Sequence, residues 1–393
     1  MLDYSVLIPP GHIDFDTGEL HFQTPVGVQR YPMPAGFRDV NMPLRRMDID
    51  VERDRLAITL RDGTVAIVEL GVISERDGDD RRGRLVAYLD QNRWSTLSAW
   101  RHGNRVISPS EADGARRIAE YVRAGKLILP MSAAHMIETS ALHSERRTTL
   151  AATMLEFSRG WQSRNPVAVR REELVAALRG EEPRARSIVS LGPEGIFTQP
   201  LRQPSGDARW PQVMALAFPR LVNVMSVYST LISPQKVPNE TGKAAAERWS
   251  TTFPRLADWL RANNATARQA RMTAHGAVLA DLAPEIEQLA SVPEIRTWLE
   301  RSYGDVTALP YLSRYRAVVF ARIRNAGRWE GNDLIDLHYL CSAAAYADLV
   351  VGERRTIGEL RTASGIPTGA TLATNLAEAA SLLDRRFATM DPA

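Results

Sequence analysis

Leu85-Val-Ala-Tyr-Leu-Asp-Gln-Asn-Arg-Trp94 is an unbroken apolar run closed by a carboxylate. A short apolar run without alternating polar positions is the pattern of a strand covered on both faces, the usual state of a parallel sheet. The pattern returns at Leu127-Ile-Leu129 and at Leu349-Val-Val351. Helical segments separate these runs. Trp94 to Gly103 reads as a short helix. Ser110 to Ala124 reads as a longer one, with Ser110 as cap, acidic residues early and basic residues late. Ser132 would cap a further helix that carries Ala134, Ile137 and Ala141 on one face. Downstream, Leu334 to Ala347 is a strongly apolar helix and Thr356 to Ala363 a short one. Ala370-Thr-Leu-Ala-Thr374 reads as an edge strand and Leu376 to Phe387 as a closing helix. Alternation of strand and helix predicts an α/β fold on a parallel sheet flanked by helices.

Two blocks stand outside this alternation. Residues 1 to about 74 are β-rich: Met47-Asp-Ile-Asp-Val51 and Leu56-Ala-Ile-Thr-Leu60 alternate with period two. Arg61-Asp-Gly-Thr64 is an Asp-Gly hairpin turn and Val65-Ala-Ile-Val-Glu-Leu70 the returning strand. The charged stretch from Glu75 to Arg84 reads as a linker. From about 149 to 325 no strand is expected. Ala151–Trp161, Arg170–Arg179, Pro211–Leu231, Gly242–Ala262, Ala265–Leu289 and Pro293–Tyr303 read as helices, interrupted by a proline-rich stretch from Gly192 to Pro211. The expected organisation is a small N-terminal β-rich unit and linker (1–80), the first half of an α/β domain (81–148), an all-α insertion (149–325) and the second half of the α/β domain (326–393).

Composition is that of an ordinary globular chain. No apolar stretch is long enough to span a bilayer, and the N-terminal residues lack the pattern of a secretory signal. One cysteine, Cys341, excludes an intramolecular disulfide and fits a reducing compartment, so a cytoplasmic location without membrane partners is expected. The net charge of +3 says little about partners. Lys126, Lys236 and Lys243 are the only lysines, and the other basic residues are arginines. Genome composition explains such a bias, and arginine also suits bidentate contact with phosphate.

The chemistry-bearing candidates are carboxylates set at junctions of apolar segments. Asp90 ends a strand, where open parallel sheets bind ligands, and would equally cap the helix that follows. Glu138 lies in the second turn of its helix. Asp333 and Asp336 sit at a helix start, where the dipole favours both. Asp348 follows a long helix and precedes a buried strand, so it calls for a cationic partner. Two carboxylates about 4 Å apart repel by roughly 4 kcal/mol at an effective dielectric near 20. If these groups converge, protons or a cation must offset the repulsion. All-oxygen ligation selects Mg²⁺ or Mn²⁺. Such ions hold phosphate oxygens and activate water, which points to phosphodiester hydrolysis.

Tyr88-Leu-Asp-Gln-Asn-Arg-Trp94, Ser132-Ala-Ala-His-Met-Ile-Glu138, Asn332-Asp-Leu-Ile-Asp-Leu-His-Tyr-Leu340 and Ala345-Tyr-Ala-Asp-Leu-Val-Val-Gly-Glu-Arg354 together resemble the PIN-like nuclease superfamily. The resemblance covers about 82–148 and 326–393. It implies a PIN-like parallel sheet flanked by helices and a metal-dependent ribonuclease using Mg²⁺ or Mn²⁺. It also implies Asp90, Glu138, Asp336 and Asp348 as catalytic metal ligands, with Asp333 replacing or assisting Asp336. RNA is the implied partner more than DNA. Two alternatives remain open: a non-catalytic nucleic-acid-binding or assembly protein on the same scaffold, and a DNA-directed nuclease of repair or phage defence. Self-association is left open as well.

Further candidates surround this set. Asn92 and Arg93 follow Asp90 and are placed to meet the scissile phosphate or the water shell of a metal. Glu353 and Arg354 lie just past the last buried strand, where a surface ion pair explains them equally well. Between Val306 and Trp329 there is no acidic residue, while Arg314, Arg316, Arg322, Arg324 and Arg328 alternate with Tyr311, Tyr315, Phe320 and Trp329. Such a segment either holds a nucleic-acid strand, through Arg322, Arg324 and Arg328, or is a helix with its aromatics in the core. His135 reads as a helix-surface residue, and a mixed site using His135 and His338 is a minor alternative.

Overall fold

The computed structural model describes residues 11–24, 26–33, 44–50, 52–61, 63–69, 81, 83–182, 187–191, 227, 230–231, 240–289, 293–324, 333–362 and 369–390. The N-terminal block is a six-stranded antiparallel sheet of β1 (His12–Asp14), β2 (Glu19–Thr24), β3 (Gly27–Pro32), β4 (Leu44–Asp50), β5 (Arg55–Leu60) and β6 (Val65–Glu69), in the order β3-β2-β1-β4-β5-β6. The period-two alternation of β4, β5 and β6 buries Met47, Ile49, Leu56, Ile58, Ala66 and Val68 on one face.

The second sheet begins at β7 (Leu85–Leu89), followed by α1 (Gln91–His102), α2 (Pro109–Arg123), β8 (Leu127–Ile128), α3 (Ala133–Ala141) and α4 (Ser144–Ser158). A short antiparallel pair, β9 (Gln162–Ser163) and β10 (Val189–Ser190), brackets α5 (Pro166–Leu178). Then come α6 (Glu240–Ala262), α7 (Ala267–Asp281), α8 (Ala283–Gln288), α9 (Pro293–Ser302), α10 (Pro310–Arg324) and α11 (Asp333–Tyr346). The chain closes with β11 (Leu349–Val351), α12 (Arg354–Thr362), β12 (Thr371–Ala373) and α13 (Leu376–Met390).

β12, β11, β7 and β8 lie side by side in that order, all parallel. The protein is therefore mixed α/β, with a parallel sheet between helical layers. Alternation along β7 assigns the layers. Leu85, Ala87 and Leu89 join a core with α1, α2, α4, α13 and the antiparallel sheet, whereas Val86 and Tyr88 join a core with α5, α6, α7, α10 and α11. From β7 the chain moves outward to β8, then crosses back to the other side of β7 to form β11. The sheet order thus reverses between β7 and β11, and their carboxyl ends open a crevice there.

Several local features depart from the sequence expectation. α2 is capped by Ser108 rather than Ser110, because Pro109 fits the first helical turn and needs no N–H partner. The stretch expected as one helix from Ala265 to Leu289 is split at Leu282, where Pro284 cannot continue the hydrogen-bond ladder. The expected strandless block contains β9 and β10, the former reached by a parallel bridge from Met131 to Gln162. The helices of that block share one core with Val86, Tyr88, Ile128 and Val350 of the parallel sheet. The expected helix Pro211–Leu231 lies outside the described residues except at 227, 230 and 231. No helix among the described residues is long and apolar enough to cross a membrane.

Close packing fixes the outer layer. Gly114 of α2 lies against the first turn of α13, where a Cβ would sit 2.5 Å from the Leu376 carbonyl carbon and 2.6 Å from the Ala377 nitrogen. Backbone cannot yield as a side-chain tip would. Gly114→Ala is expected to destabilise the protein by about 2 kcal/mol through overpacking. The check is urea denaturation, with the midpoint lowered at an unchanged slope.

Candidate active site

Asp90 stands at the carboxyl end of β7, and its backbone N–H donates to the Val351 carbonyl of β11 at 2.9 Å. Its Oδ1 accepts from the Arg93 N–H at 2.9 Å and caps α1. Capping and a place in the crevice thus coexist in one residue. β11 runs in register with β7, Val351 opposite Leu89, so the chain leaving β11 carries Glu353 to the same edge. Ser132 caps α3 in a reciprocal box with His135, and this fixes the helix that presents Glu138. The first turn of α11 presents Asp336. These four carboxylates, with Gln91, Asn92, Arg322 and Leu340 among the other walls, line a cavity of about 240 Å³.

The electrostatics follow from burial and like charge. Burial raises the Asp90 carboxyl to about 6, against the Arg93 N–H and guanidinium, with Glu353 and Asp336 adding to the rise. Glu138 is pushed up further, by burial first and then by Asp336, with which it shares a hydrogen bond, and by Asp90 and Glu353. Burial and like charge thus favour the protonated form of Glu138, which relieves the repulsion two bare charges would suffer. Asn92 Nδ2 donates to Glu353 Oε1. Gln91 Nε2 donates to Thr139 at 3.0 Å, leaving its buried Oε1 without a hydrogen-bond partner on the cavity wall. Arg322 also borders the cavity while its Nε donates to Glu359 at 2.8 Å.

Asp348 is not part of this cluster. It precedes β11 and so lies at the amino edge of the sheet, a strand length from Asp90. There its Oδ2 accepts from the Val86 N–H at 2.9 Å and its Oδ1 from Arg386 at 3.0 Å. The cationic partner that its position called for is Arg386. The fourth carboxylate of the crevice is Glu353, which follows the strand. Asp333 begins α11, but its side chain lies outside what is described, as does Arg328 entirely.

The basic aromatic segment takes its core-helix form. Tyr311 and Tyr315 of α10 are fully buried, Arg314 donates to the Pro310 carbonyl, and Arg324 is exposed in the last helical turn. Of Arg322 and Arg324, Arg322 borders the crevice. Arg93 faces its own Asp90 at 3.7 Å. His135 is buried rather than on the helix surface, stacked on Tyr88, and burial lowers it to about 3. His338 is lowered to about 4, again by burial, and hydrogen-bonds to Tyr311 at 2.6 Å. Both rings are neutral core groups outside the crevice.

The donor set suits a hard divalent cation: carboxylate oxygens from four elements and the unpaired amide oxygen of Gln91. As the side chains stand, no three His, Cys, Asp or Glu among the described residues are grouped as ligands of one ion.

In chelator-treated protein, Asp90 keeps its proton to about 6 in the folded state but ionises near 3.8 when unfolded. Between those values the folded chain binds more protons, so stability falls as pH rises, by about 3 kcal/mol for this group. Thermal melts from pH 4 to 7 should therefore show Asp90→Asn gaining on wild type as pH increases. A constant difference across the window would refute the assignment.

No family model matches the chain, and no curated protein and no solved structure matches it.

Proposed function

We propose that this protein is a metal-dependent phosphodiester hydrolase, a nuclease of PIN-like type, acting at the crevice between β7 and β11. The observation that carries the reading is the convergence of Asp90, Glu138, Asp336 and Glu353 at the reversal of sheet order. A cavity walled by these groups repels any phosphate. Arg322 offsets this in part, but it is shared with Glu359. A nucleic acid gains entry only if positive charge is supplied there, and oxygen ligands select Mg²⁺ or Mn²⁺ for that role.

Asp90, Asp336 and Glu353 would hold the ion, joined by Glu138 once it has released its proton. When bound, such an ion polarises the phosphoryl group and makes a water acidic enough to attack. The chain's own groups do the rest. Asn92 holds Glu353 in place through its amide. Glu138, with proton affinity raised by burial and like charge, would carry a proton near neutral pH and give it to the leaving oxygen, while the proton of the attacking water passes to solvent. The new bond joins water oxygen to phosphorus, and the bond broken is that to the ester oxygen. The preference for RNA over DNA rests on the sequence resemblance alone.

The test is cleavage of labelled single-stranded RNA, single-stranded DNA and duplexes with Mn²⁺ or with EDTA. Asp90→Asn, Asp336→Asn and Glu353→Gln should each lower the rate at least about 100-fold, in keeping with the loss of electrostatic groups at a reacting centre. Asp348→Asn should leave the rate within a few-fold of wild type, since Asp348 binds Val86 and Arg386 at the other edge. Activity that persists in EDTA, or that depends on Asp348 and not on Glu353, would overturn the proposal. A protein that gains no thermal stability from Mn²⁺ and cleaves nothing would be a binding scaffold.

A further inference from the structure

A second cavity of about 570 Å³ lies on α1, between its outer face and the start of α4. Ser95, Ser98, Asn104, Arg105, Glu145 and Arg146 are among its walls. Gln91 and Asn92, which line the carboxylate crevice, and Ser95 and Ala99, which line this one, fall on one face of α1 at spacings of three, four and seven residues. The two cavities are thus successive stretches along a single helix. From Asn92 to Ala99 the rise is about 10 Å at 1.5 Å per residue.

The second cavity has the opposite electrical character. Arg105 and Arg146 are both exposed, and no acidic side chain among the described residues pairs with either. This sets them apart from most arginines nearby: Arg101 and Arg123 both bind Glu156. Glu145 is the acidic group of the cavity, exposed on the first turn of α4. The serines and Asn104 add neutral hydrogen-bonding groups, and Asn104 is held by Thr149 at 3.2 Å.

We infer that this cavity is the subsite for the nucleic-acid backbone flanking the cleaved bond, with Arg105 and Arg146 as its phosphate contacts. The inference rests on the nuclease reading of the adjoining crevice and extends it. A strand whose reacting phosphate lies at Asp90 and Glu353 would run along α1, past Ser95 and Ser98, to the guanidinium groups of the second cavity. A cavity of this size is in the range that holds a small ligand, and so has room for a short stretch of unpaired strand. The substrate class we infer is single-stranded. Phosphate contacts position a strand without reading its bases, so the subsite sets strand register and leaves sequence choice to other contacts.

The experiment uses full-length protein carrying Asp90→Asn to block turnover, with Mg²⁺ present, and fluorescein-labelled single-stranded RNA and DNA 12-mers. Anisotropy titrations at several salt concentrations give affinity and its salt dependence. Arg105→Ala/Arg146→Ala should weaken binding at least about 10-fold at low salt. It should also lower the slope of log affinity against log salt by about 1.4, at about 0.7 per phosphate contact for a single strand. Arg105→Lys/Arg146→Lys should restore most of both, and matching thermal melts exclude unfolding. The RNA and DNA arms decide which backbone the subsite prefers. Unchanged affinity and slope in the alanine variant would overturn the subsite, and cleavage by the protein with Asp90 intact would then leave the nuclease reading standing. Neither binding nor cleavage of any oligonucleotide would overturn both.

Discussion

Mutual repulsion among partly buried carboxylates is the constraint around which the crevice is organised. Each of Asp90, Glu138, Asp336 and Glu353 comes from a different stretch of chain, and each is held by structure that has its own reasons to form. Asp90 is a helix cap, Glu138 rides on a helix locked by the Ser132–His135 box, and Glu353 is anchored by Asn92. These attachments are cooperative products of the fold, so the carboxylates cannot move apart without undoing caps and strand ends. The repulsion is instead eased by the raised proton affinities of Glu138 and Asp90. Structural groups that merely repel would be expected to disperse to solvent. A cleft whose carboxyls have proton affinities raised by burial and by one another is on physical grounds a functional-site candidate.

The parallel sheet supplies the reason for the location. β7 and β11 are central, fully buried strands, with β8 beyond one and β12 beyond the other. Helices leaving their carboxyl ends turn to opposite faces: α1 joins the core that includes α2 and α13, and Ile357 and Leu360 of α12 join the core that includes α10 and α11. Where neighbouring strands send their chains to opposite sides, a gap opens at their ends. The helices that neighbour the gap in space, α3 and α11, then present Glu138 and Asp336 across it. The antiparallel N-terminal sheet is remote from this edge and packs with α4; its Glu69 is tied to Arg84 and Trp161.

Much of the scaffold was legible in the residues because it depends on local pattern. The unbroken apolar runs gave β7, β8 and β11, and the Asp-Gly turn gave the β5–β6 hairpin. The block of helices from α5 to α9 was also readable in outline. What pattern could not supply was the fate of groups whose environment is set by distant chain. His135 has the composition of a helix-surface position, yet the box with Ser132 and the Tyr88 ring bury it. The arginines of α10 look like a nucleic-acid strip until Tyr311 and Tyr315 are seen to occupy the core and Arg322 to bind Glu359.

The exchange of Asp348 for Glu353 was, by contrast, decidable from the sequence. In a parallel strand a residue before the apolar run and a residue after it lie at opposite edges. Leu349–Val351 spans about 10 Å at some 3.3 Å per residue, so Asp348 and Asp90 could not meet once both strands were taken as parallel. The resemblance to a family motif grouped Asp348 with Asp90, whereas strand direction brings Glu353 to that edge. Asp348 instead performs the task that a carboxylate at an amino edge can perform: it accepts the Val86 N–H from the neighbouring strand and is neutralised by Arg386 of α13. It thereby joins β7, β11 and the closing helix. The same directional rule separates the acidic groups of this sheet into one that fastens strands together and others that are held in a crevice, and that division follows from topology before any chemistry is assigned.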